Sequence, residues 1–306
     1  LLKAFKTEIA PTREQKEKII RSIGIARFLY NQYIAYNKKL YRMYQRGLLD
    51  SHQKHFMSAN EFDKYVNHKL KIELSWINEC GSKARKKALV NAEAAFKKFF
   101  NGLAGFPQFK KKSNHDVKLY FPKNNKGDWA IWRHKLMVPT LKQVRLKEFG
   151  YLPVGAVVIN GMVSYVAGRF YVSVVVDIDE KSKYNKDLKT SYRTATDGIG
   201  IDLGIKDLAV VSNGRKFKNI NKSSKVKRLE KRLRREQRRL SRKYESKKKK
   251  GGKIATASAN IEKQKLKVQK LHQRIDEIRK DYENKVIQEI VKQKPRFITV
   301  EDLNVK

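Results

Sequence analysis

Two apolar segments that each carry an acid constrain this fold more than any other feature. Residues 198–212 hold Asp202 after two isoleucines and then turn through glycine into a second apolar run. Residues 297–305 hold Glu301 directly after the run Ile-Thr-Val. Both segments predict buried β-strands, and a buried carboxylate is costly unless it is paired, hydrogen-bonded or bound to a metal. Two acids on neighbouring strands can share a divalent cation, and their oxygens suit Mg²⁺ or Mn²⁺.

The net charge indicates what kind of partner the chain binds. Lys and Arg number 71 against 30 Asp and Glu, a formal +41 over 306 residues. Such an excess repels itself in a free protein and indicates a polyanionic partner. The sequence contains neither a long apolar run nor a signal-peptide pattern, so we expect no membrane partner. A lone cysteine, Cys80, excludes an internal disulfide and a cysteine-rich zinc site within these residues.

The first half of the chain predicts a helical domain between parts of a β-domain. Residues 2–9 alternate in polarity and predict a strand. Residues 11–102 predict three helices, starting after Thr12, after Ser58 and near residue 82. Residues 103–180 are rich in β-formers and proline, and their clearest hairpin turns at Ala167-Gly168. We predict that they form a small β-barrel with residues 1–10.

The second half predicts a helical excursion between the two acid-bearing segments. Residues 181–197 are polar and predict a linker. Residues 222–253 hold 17 Lys and Arg against 3 Glu, and the following residues repeat apolar side chains every seven positions. The pattern from about 222 to 292 predicts an antiparallel helical hairpin. A solvated coiled coil is the plain alternative, but Glu is too scarce to neutralise the basic side chains, which favours a surface that binds nucleic acid.

The order of these segments is typical of an RNase H-like nuclease core. Asp202 and Glu301 stand 99 residues apart, on segments separated by the helical hairpin. In such cores, acids from separate strands bind two metal ions that clamp the oxygens of a phosphodiester. Lys206 lies in the turn after Asp202, where it either contacts a phosphate or is an ordinary exposed turn residue.

The chain resembles the TnpB family of transposon-encoded RNA-guided nucleases, which are related to the type V CRISPR effectors. The most specific motifs are D-x-G-x-K, which begins at Asp202, and V-E-D-L-N-V, which contains Glu301. The other matching segments run nearly the whole chain in order: residues 3–9 (KAFKTEI), 27–31 (RFLYN), 94–100 (AAFKKFF), 105–110 (GFPQFK) and the basic run 227–243.

The resemblance implies a fold and a set of roles. The expected class is α+β and multidomain: a wedge-type β-barrel (1–10 and 103–180), a helical recognition domain (11–102) and an RNase H-like, RuvC-type nuclease domain (198–306). Asp202 and Glu301 would be the first and second catalytic acids and the ligands of Mg²⁺ or Mn²⁺. Nucleic acid would be bound by Arg27, Tyr30, Asn31, Lys86, Lys97, Lys98, Lys110, Lys206, Arg228, Arg232, Arg235 and Arg239.

The family pattern also includes features that these residues lack. It continues with a zinc ribbon of paired cysteines, the only place where Zn²⁺ is expected, and with a third catalytic Asp. Either the sequence is part of a longer protein or it is a truncated form. We therefore expect residues 1–306 to bind guide RNA but to cleave DNA poorly.

Three functions are compatible with the sequence. The first is an RNA-guided DNA endonuclease of a transposable element, which binds a guide RNA and cuts matched double-stranded DNA beside a short flanking motif. The alternative is a nuclease-deficient RNA-guided DNA-binding protein that acts as a repressor. The third, an RNA-packaging protein, leaves the two acids unexplained. The expected state is a monomeric ribonucleoprotein in the cytoplasm, associated with the nucleoid.

Overall fold

The structure, a computed structural model, describes residues 1–49, 55–112, 117–122, 127–178, 198–249 and 258–301. The chain divides into two compact units, Leu1–Ile178 and Asp179–Lys306. The predicted linker, 181–197, and the last residues of the predicted nuclease domain, 302–306, lie outside the described residues. None of the described helices is both long enough and apolar enough to cross a membrane.

The described residues of the first unit form four helices and seven strands, so the chain is α+β, as predicted. The helices are α1 (Arg13–Gln45), α2 (Ala59–Tyr65), α3 (Lys71–Glu73) and α4 (Ser82–Phe100), with a π turn at Val66–Leu70 and a 3-10 turn at Ser75–Glu79. The strands are β1 (Leu2–Ala10), β2 (Val117–Pro122), β3 (Ala130–Ile131), β4 (Lys135–Val138), β5 (Lys142–Leu146), β6 (Val157–Val166) and β7 (Arg169–Asp177).

All seven strands form one antiparallel sheet. Its order is β2-β6-β7-β1-β5-β4-β3, so β1 joins the strands of the second half of the unit. Leu2 pairs with Asp177 on one side of β1, and Ile9 pairs with Leu146 on the other. β7 is a central strand, as its apolar residues predict. Closure of this sheet into a barrel stays a prediction.

The predicted capping boxes begin two of the helices. The Thr12 hydroxyl accepts a hydrogen bond from the Gln15 backbone N–H at 3.2 Å, and the Gln15 side chain accepts one from the Thr12 N–H at 3.0 Å. Ser58 and Glu61 form the same box at the start of α2. The Gln15 amide also donates to the carbonyl of Leu141 at 2.9 Å. One side chain therefore caps α1 and ties it to the sheet.

Aromatic side chains hold the helices of this unit together. Tyr33 of α1 is fully buried, and its hydroxyl donates to the Met57 carbonyl at 2.7 Å. Its ring lies edge-on to Phe62 of α2 at 5.3 Å and to Phe96 of α4 at 6.3 Å. Burial raises the pKa of the Tyr33 hydroxyl, because the phenolate would have to leave water.

Two glycines should respond in opposite ways to replacement by alanine. In Gly161→Ala the new methyl would overlap the buried Trp129 ring, and we expect the free energy of unfolding to fall by about 1–3 kcal/mol. In Gly24→Ala it would meet no atom within 4 Å inside α1, and we expect a gain of up to about 1 kcal/mol. Thermal and urea unfolding measure both. A loss for Gly24→Ala as large as that for Gly161→Ala would contradict the packing described.

The second unit is a small sheet with a long helical hairpin. Its strands are β8 (Ile199–Leu203), β9 (Asp207–Val211), β10 (Lys216–Lys218) and β11 (Ile298–Val300), and its helices are α5 (Ser224–Lys249) and α6 (Ala259–Val291), with a 3-10 turn at Ile220–Lys222. The strand order is β10-β9-β8-β11. Only the pairing of β8 with β11 is parallel within the described sheet, and the other two pairings are antiparallel.

The two long helices pack side by side in opposite directions. Val226 and Leu233 of α5 pack against Val268 and Ile275 of α6, which stand at the heptad positions seen in the sequence. The Lys243 ammonium donates to the Asn260 carbonyl at 3.2 Å, near the start of α6. Because Lys243 lies near the end of α5 and Asn260 near the start of α6, the hairpin is antiparallel.

Candidate active site and nucleic-acid surfaces

Asp202 and Glu301 come together because β8 and β11 pair in parallel. The register joins Gly200 to Thr299 and Ile201 to Val300. Glu301 directly follows β11, so continuing the register sets it beside Asp202. Adjacent strands lie about 4.8 Å apart, and paired residues of parallel strands project from the same face. The structure thus brings the two acids, 99 residues apart in sequence, to neighbouring positions.

The two faces of this sheet differ in polarity. Ile199 and Val211 are buried against Val286 and Ile290 of α6. Side chains alternate along a strand, so Asp202 projects from the other face. An open groove of about 600 Å³ there is lined by both acids, by Ser212 and by Thr299. The apolar face anchors the sheet to the helix and leaves the acids open to solvent.

The prediction that both acid-bearing strands are buried is wrong for β11. Ile298 is 41% exposed and Val300 is 48% exposed, and Asp202 and Glu301 are exposed as well. The reason is topological: β11 is an edge strand, paired only with β8 in the part of the chain that the structure describes. Exposure lowers the cost of keeping two like charges close together.

The two carboxylates fit a hard divalent cation. Mg²⁺ commonly keeps several waters and binds through one or two carboxylates together with substrate phosphates. Two exposed, neighbouring acids on an open face offer such a half-complete ligand set. No group of three or more His, Cys, Asp or Glu side chains that could hold a metal occurs among the described residues.

Lys206 lies in a turn whose backbone is held by hydrogen bonds from two later side chains. The Asn219 amide donates to the Ile205 carbonyl at 2.9 Å, and the Lys222 ammonium donates to the Lys206 carbonyl at 3.2 Å. Its own side chain is exposed. The structure therefore leaves this lysine accessible, three residues from the end of the strand that carries Asp202, and its contact with phosphate stays a prediction.

Two of the predicted nucleic-acid residues line one basic cavity in the first unit. Arg27 of α1 and Lys110 face a cavity of about 370 Å³ bounded by α1, α4 and β2. Lys87 of α4 lines it too, with its ammonium 5.2 Å from the centre of the Tyr120 ring. The residues that line this cavity include no acid. Sequence reasoning missed Lys87 and Tyr120, because only the packing of β2 against α4 brings them together.

Tyr30, Asn31 and Lys110 form one contact cluster. The Asn31 amide donates to the Lys110 carbonyl at 3.0 Å, and the Lys110 N–H donates to the Asn31 side-chain oxygen at 2.8 Å. The Lys110 ammonium lies 3.9 Å from the centre of the Tyr30 ring. Partial burial lowers the pKa of the Lys110 ammonium. The Tyr30 ring is buried beneath this lysine, whereas Asn31 is partly exposed and Lys110 is exposed.

The lysines predicted on α4 are exposed. Lys86, Lys97 and Lys98 all face solvent, and Lys97 pairs with Glu93 at 3.7 Å. Exposed pairs of this kind contribute little to stability. These three lysines are accessible to a polyanion, and their role stays a prediction.

The charge of the helical hairpin is concentrated on one of its two helices. α5 carries 14 Lys and Arg against 3 Glu, whereas α6 carries 8 against 6 acids. The predicted residues Arg228, Arg232, Arg235 and Arg239 are all exposed and follow one another at helical spacing. We call these four side chains the arginine stripe. It forms the most basic part of the described second unit.

One acid of α5 faces inward and was missed by sequence reasoning. The Glu236 carboxylate accepts hydrogen bonds from the Gln264 amide of α6 at 2.7 Å and from Arg239 at 2.9 Å. The hydrogen bond from Gln264 is the main cause that lowers the pKa of Glu236. Gln264 also donates to the Glu236 backbone carbonyl at 3.1 Å. This buried polar contact favours one register of the hairpin over others.

Comparison with known proteins places the chain in a family. Residues 173–306 match the OrfB family of IS605 elements, described as "Probable transposase", and residues 1–46 match a helix-turn-helix domain of OrfB proteins. "Putative RNA-guided DNA endonuclease InsQ" of Escherichia coli (strain K12) is 29% identical over 304 residues, which cover 99% of this chain and 67% of InsQ. The chain belongs to the TnpB (OrfB) family.

Other known proteins are similar to all or part of this chain. A "Putative RNA-guided DNA endonuclease" of Streptomyces pristinaespiralis is 27% identical over 307 residues, covering 99% of this chain and 67% of that protein. "Virulence protein VsdF" of Salmonella dublin is 31% identical over 115 residues, 37% of this chain and 95% of VsdF. A solved Cas12f1–sgRNA–target DNA complex aligns at 14% identity and a TM-score of 0.32, covering 99% of this chain and 73% of that chain.

The family matches coincide with parts of both units. The OrfB match spans Asp202, Glu301 and the arginine stripe. The helix-turn-helix match spans β1 and α1, but here α1 is a single helix of 33 residues without a turn. In this TnpB-family chain, residues 1–46 therefore contribute a strand to the sheet and one face of the basic cavity.

Proposed function

We propose that this TnpB-family chain acts as an RNA-guided DNA endonuclease of a transposable element. The observation that carries the proposal is the parallel pairing of β8 and β11, which sets Glu301 beside Asp202 on an exposed face. The net charge of +41 and the named relatives support the same function. In this proposal a guide RNA reads the target by base pairing, and the protein reads backbone shape and a short flanking motif.

Asp202 and Glu301 are proposed to hold Mg²⁺ or Mn²⁺. When bound, the ion would supply Lewis-acid stabilisation of charge on the phosphodiester oxygens. The open face lets a phosphate approach both carboxylates without rearrangement of β8 or β11. Lys206 is proposed to contact a neighbouring phosphate, because its side chain is exposed just beyond β8.

The basic surfaces of the two units are proposed to hold nucleic acid. The arginine stripe would bind the phosphates of the guide RNA, because guanidinium groups can bind phosphate oxygens through two hydrogen bonds. The cavity that holds Arg27, Lys87 and Lys110 would contact the target DNA beside the guide-paired region. We further propose a monomeric ribonucleoprotein in the cytoplasm, associated with the nucleoid.

We also propose a second candidate function, RNA-guided DNA binding without cleavage. The described residues supply two neighbouring acids and no group of three or more potential metal ligands. Two carboxylates alone organise two ions incompletely. On this view residues 1–306 bind guide RNA and target but cut weakly, and a further ligand would be needed for full activity.

Removal of divalent metal should separate binding from cutting. With guide RNA and a matched target, we expect the full-length gene product to cut in Mg²⁺ and to stop cutting in excess EDTA. Target binding, measured by gel shift at the same ionic strength, should persist. Cutting that continues in EDTA would refute the metal-dependent mechanism. Binding without cutting in Mg²⁺ or Mn²⁺ would establish the second candidate instead.

A further inference from the structure

A row of cations on the second half of α1 lies outside the surfaces described above. From Lys18 to Leu49 the sequence contains no Asp or Glu. Lys38, Arg42 and Arg46 follow one another at four-residue spacing, with Lys39 beside them, so all four share one side of the helix. None of the four forms an ion pair with any acid that the structure describes. Within the described part of the chain, no acid therefore neutralises this row.

Phe109 forms the other wall of a groove along this row. The groove has a volume of about 450 Å³ and is lined by the four cations and by Phe109. The ring is 50% exposed, and the Lys38 ammonium lies 5.9 Å from its centre. We call these five side chains the Phe109 groove. It contains a flat aromatic surface, several cations and no acid among its lining residues.

The segment that carries Phe109 is anchored both before and after this residue. Three residues before it, Phe106 packs against Phe99 at 5.0 Å and Phe96 at 5.6 Å. One residue after it, the Lys110 backbone is fixed by both hydrogen bonds to Asn31. The segment is anchored at its neighbours while this one apolar ring faces solvent.

We propose that the Phe109 groove binds single-stranded nucleic acid, with one base stacked on Phe109 and the neighbouring phosphates on the cations of α1. Aromatic rings beside a cationic track are how proteins bind unpaired strands, because every base offers a flat face once it is unpaired. A duplex does not fit this chemistry, since its bases are already stacked on one another. An acidic peptide would satisfy the cations but would leave the flat ring without a matching surface.

The inference deepens the proposed function, on which it rests, by adding a site for an unpaired strand. That strand is either part of the guide RNA or a single strand of the DNA, and both share the same phosphate and base chemistry. The test needs no cleavage. If the groove does not bind a single strand, guided cleavage can still be observed in its own assay. If the protein does not cleave DNA, binding of a single strand to the groove can still be measured.

The first experiment locates the base. The full chain is mixed, without metal, with 12-nucleotide RNA or DNA oligonucleotides that carry 5-bromouracil, irradiated, and mapped by peptide mass spectrometry. We expect crosslinks at Phe109 from both single strands and few from the same sequence in a duplex. The stronger of the RNA and DNA signals identifies the source of the strand. Equal crosslinking by the duplex, or no crosslink within residues 105–112, would overturn the proposal.

The second experiment measures affinity with a matched control. Phe109→Ala should weaken binding of the same oligonucleotide about 5- to 100-fold, the usual range for one lost base stack, and Phe109→Trp should retain it. The control is Phe149→Ala, because Phe149 is also 50% exposed but packs against His134 on a different segment. Equal losses for the two alanine variants would overturn the assigned stack.

The salt dependence separates the ring from the cations. Replacing Lys38, Arg42 and Arg46 together by alanine should make the plot of log affinity against log salt shallower by about 2, at about 0.7 for each lost contact with a single strand. Phe109→Ala should lower affinity with the slope unchanged. Lys16, Lys135 and Lys142, replaced together, remove the same charge from exposed positions elsewhere in the unit. A slope change as large in that control would refute the phosphate track.

A competition experiment with poly-glutamate tests the base stack. If poly-glutamate displaces the oligonucleotide equally well from the wild type and from Phe109→Ala, the base stack is refuted.

Discussion

Asp202→Asn should abolish guided cleavage while leaving guide RNA and target binding intact. The amide has nearly the same shape as the carboxylate but no charge, so the fold of β8 is retained and the proposed metal site loses an anionic ligand. Losing the charge stabilisation that a bound ion provides costs several kcal/mol, so we expect a cleavage rate at least about 1,000-fold lower. Glu301→Gln should behave in the same way, because the register of β11 and β8 sets Glu301 beside Asp202.

The measurement is a single-turnover cleavage assay on the full-length gene product, with saturating guide RNA and a matched target. Glu283→Gln is the matched control, because Glu283 is an exposed acid on α6 and lies outside the groove that holds Asp202. It should cut at the wild-type rate. Wild-type cutting by Asp202→Asn would show that the reaction depends on other acids. Loss of both cutting and binding would point to a folding defect, which thermal unfolding would reveal.

A metal site shared by Asp202 and Glu301 predicts two further results, one for the double variant and one for the choice of metal. If Asp202 and Glu301 hold the same ion, the double variant should cut no more slowly than either single variant, since each change already removes the site. Independent sites would instead give multiplied losses. Raised Mn²⁺ should rescue a weakened shared site better than raised Mg²⁺, because Mn²⁺ binds a given set of ligands more tightly.

Local signals in the sequence predict much of this fold. Thr12 with Gln15 and Ser58 with Glu61 mark helix starts, because a capping box needs only residues within one turn. Ala167-Gly168 marks the β6–β7 hairpin, and both residues adopt positive φ there. The heptads of α6 predict its packing on α5. In each case the information lies within a few residues, or within one repeating pattern.

Features that depend on distant neighbours could not be predicted in this way. The exposure of β11 follows from its position at the sheet edge, whereas its apolar sequence suggests burial. Arg85 stands in a lysine-rich run of α4 but is only 6% exposed, and its Nη1 atom has no hydrogen-bond partner among the described residues. The Phe109 groove joins α1 to a segment more than 60 residues later. Pattern and spacing predict that Asp202 and Glu301 end neighbouring strands, but not how exposed these strands are.

Removing the arginine stripe should greatly weaken guide RNA binding. Arg228, Arg232, Arg235 and Arg239 lie on α5, whose 14 basic residues face only 3 acids. Replacing all four by alanine removes phosphate contacts, each of which contributes about 0.7–0.9 to the slope of log affinity against log salt. We expect the slope to become shallower by about 3 and the affinity to fall at least about 100-fold at low salt. Filter binding of guide RNA across a range of salt concentrations measures both quantities.

The hairpin supplies a closely matched control for this prediction. Lys263, Lys267, Lys270 and Arg274 repeat the same spacing on α6 and are also exposed, so their replacement removes the same charge from the same hairpin. α6 carries 6 acids against 8 basic residues, so its local potential is far weaker. We expect this variant to lose little affinity and to keep most of the salt slope. Equal losses from both helices would mean that total charge, rather than the arginine stripe, sets guide RNA affinity. A large loss from α6 alone would move the RNA surface to the other side of the hairpin.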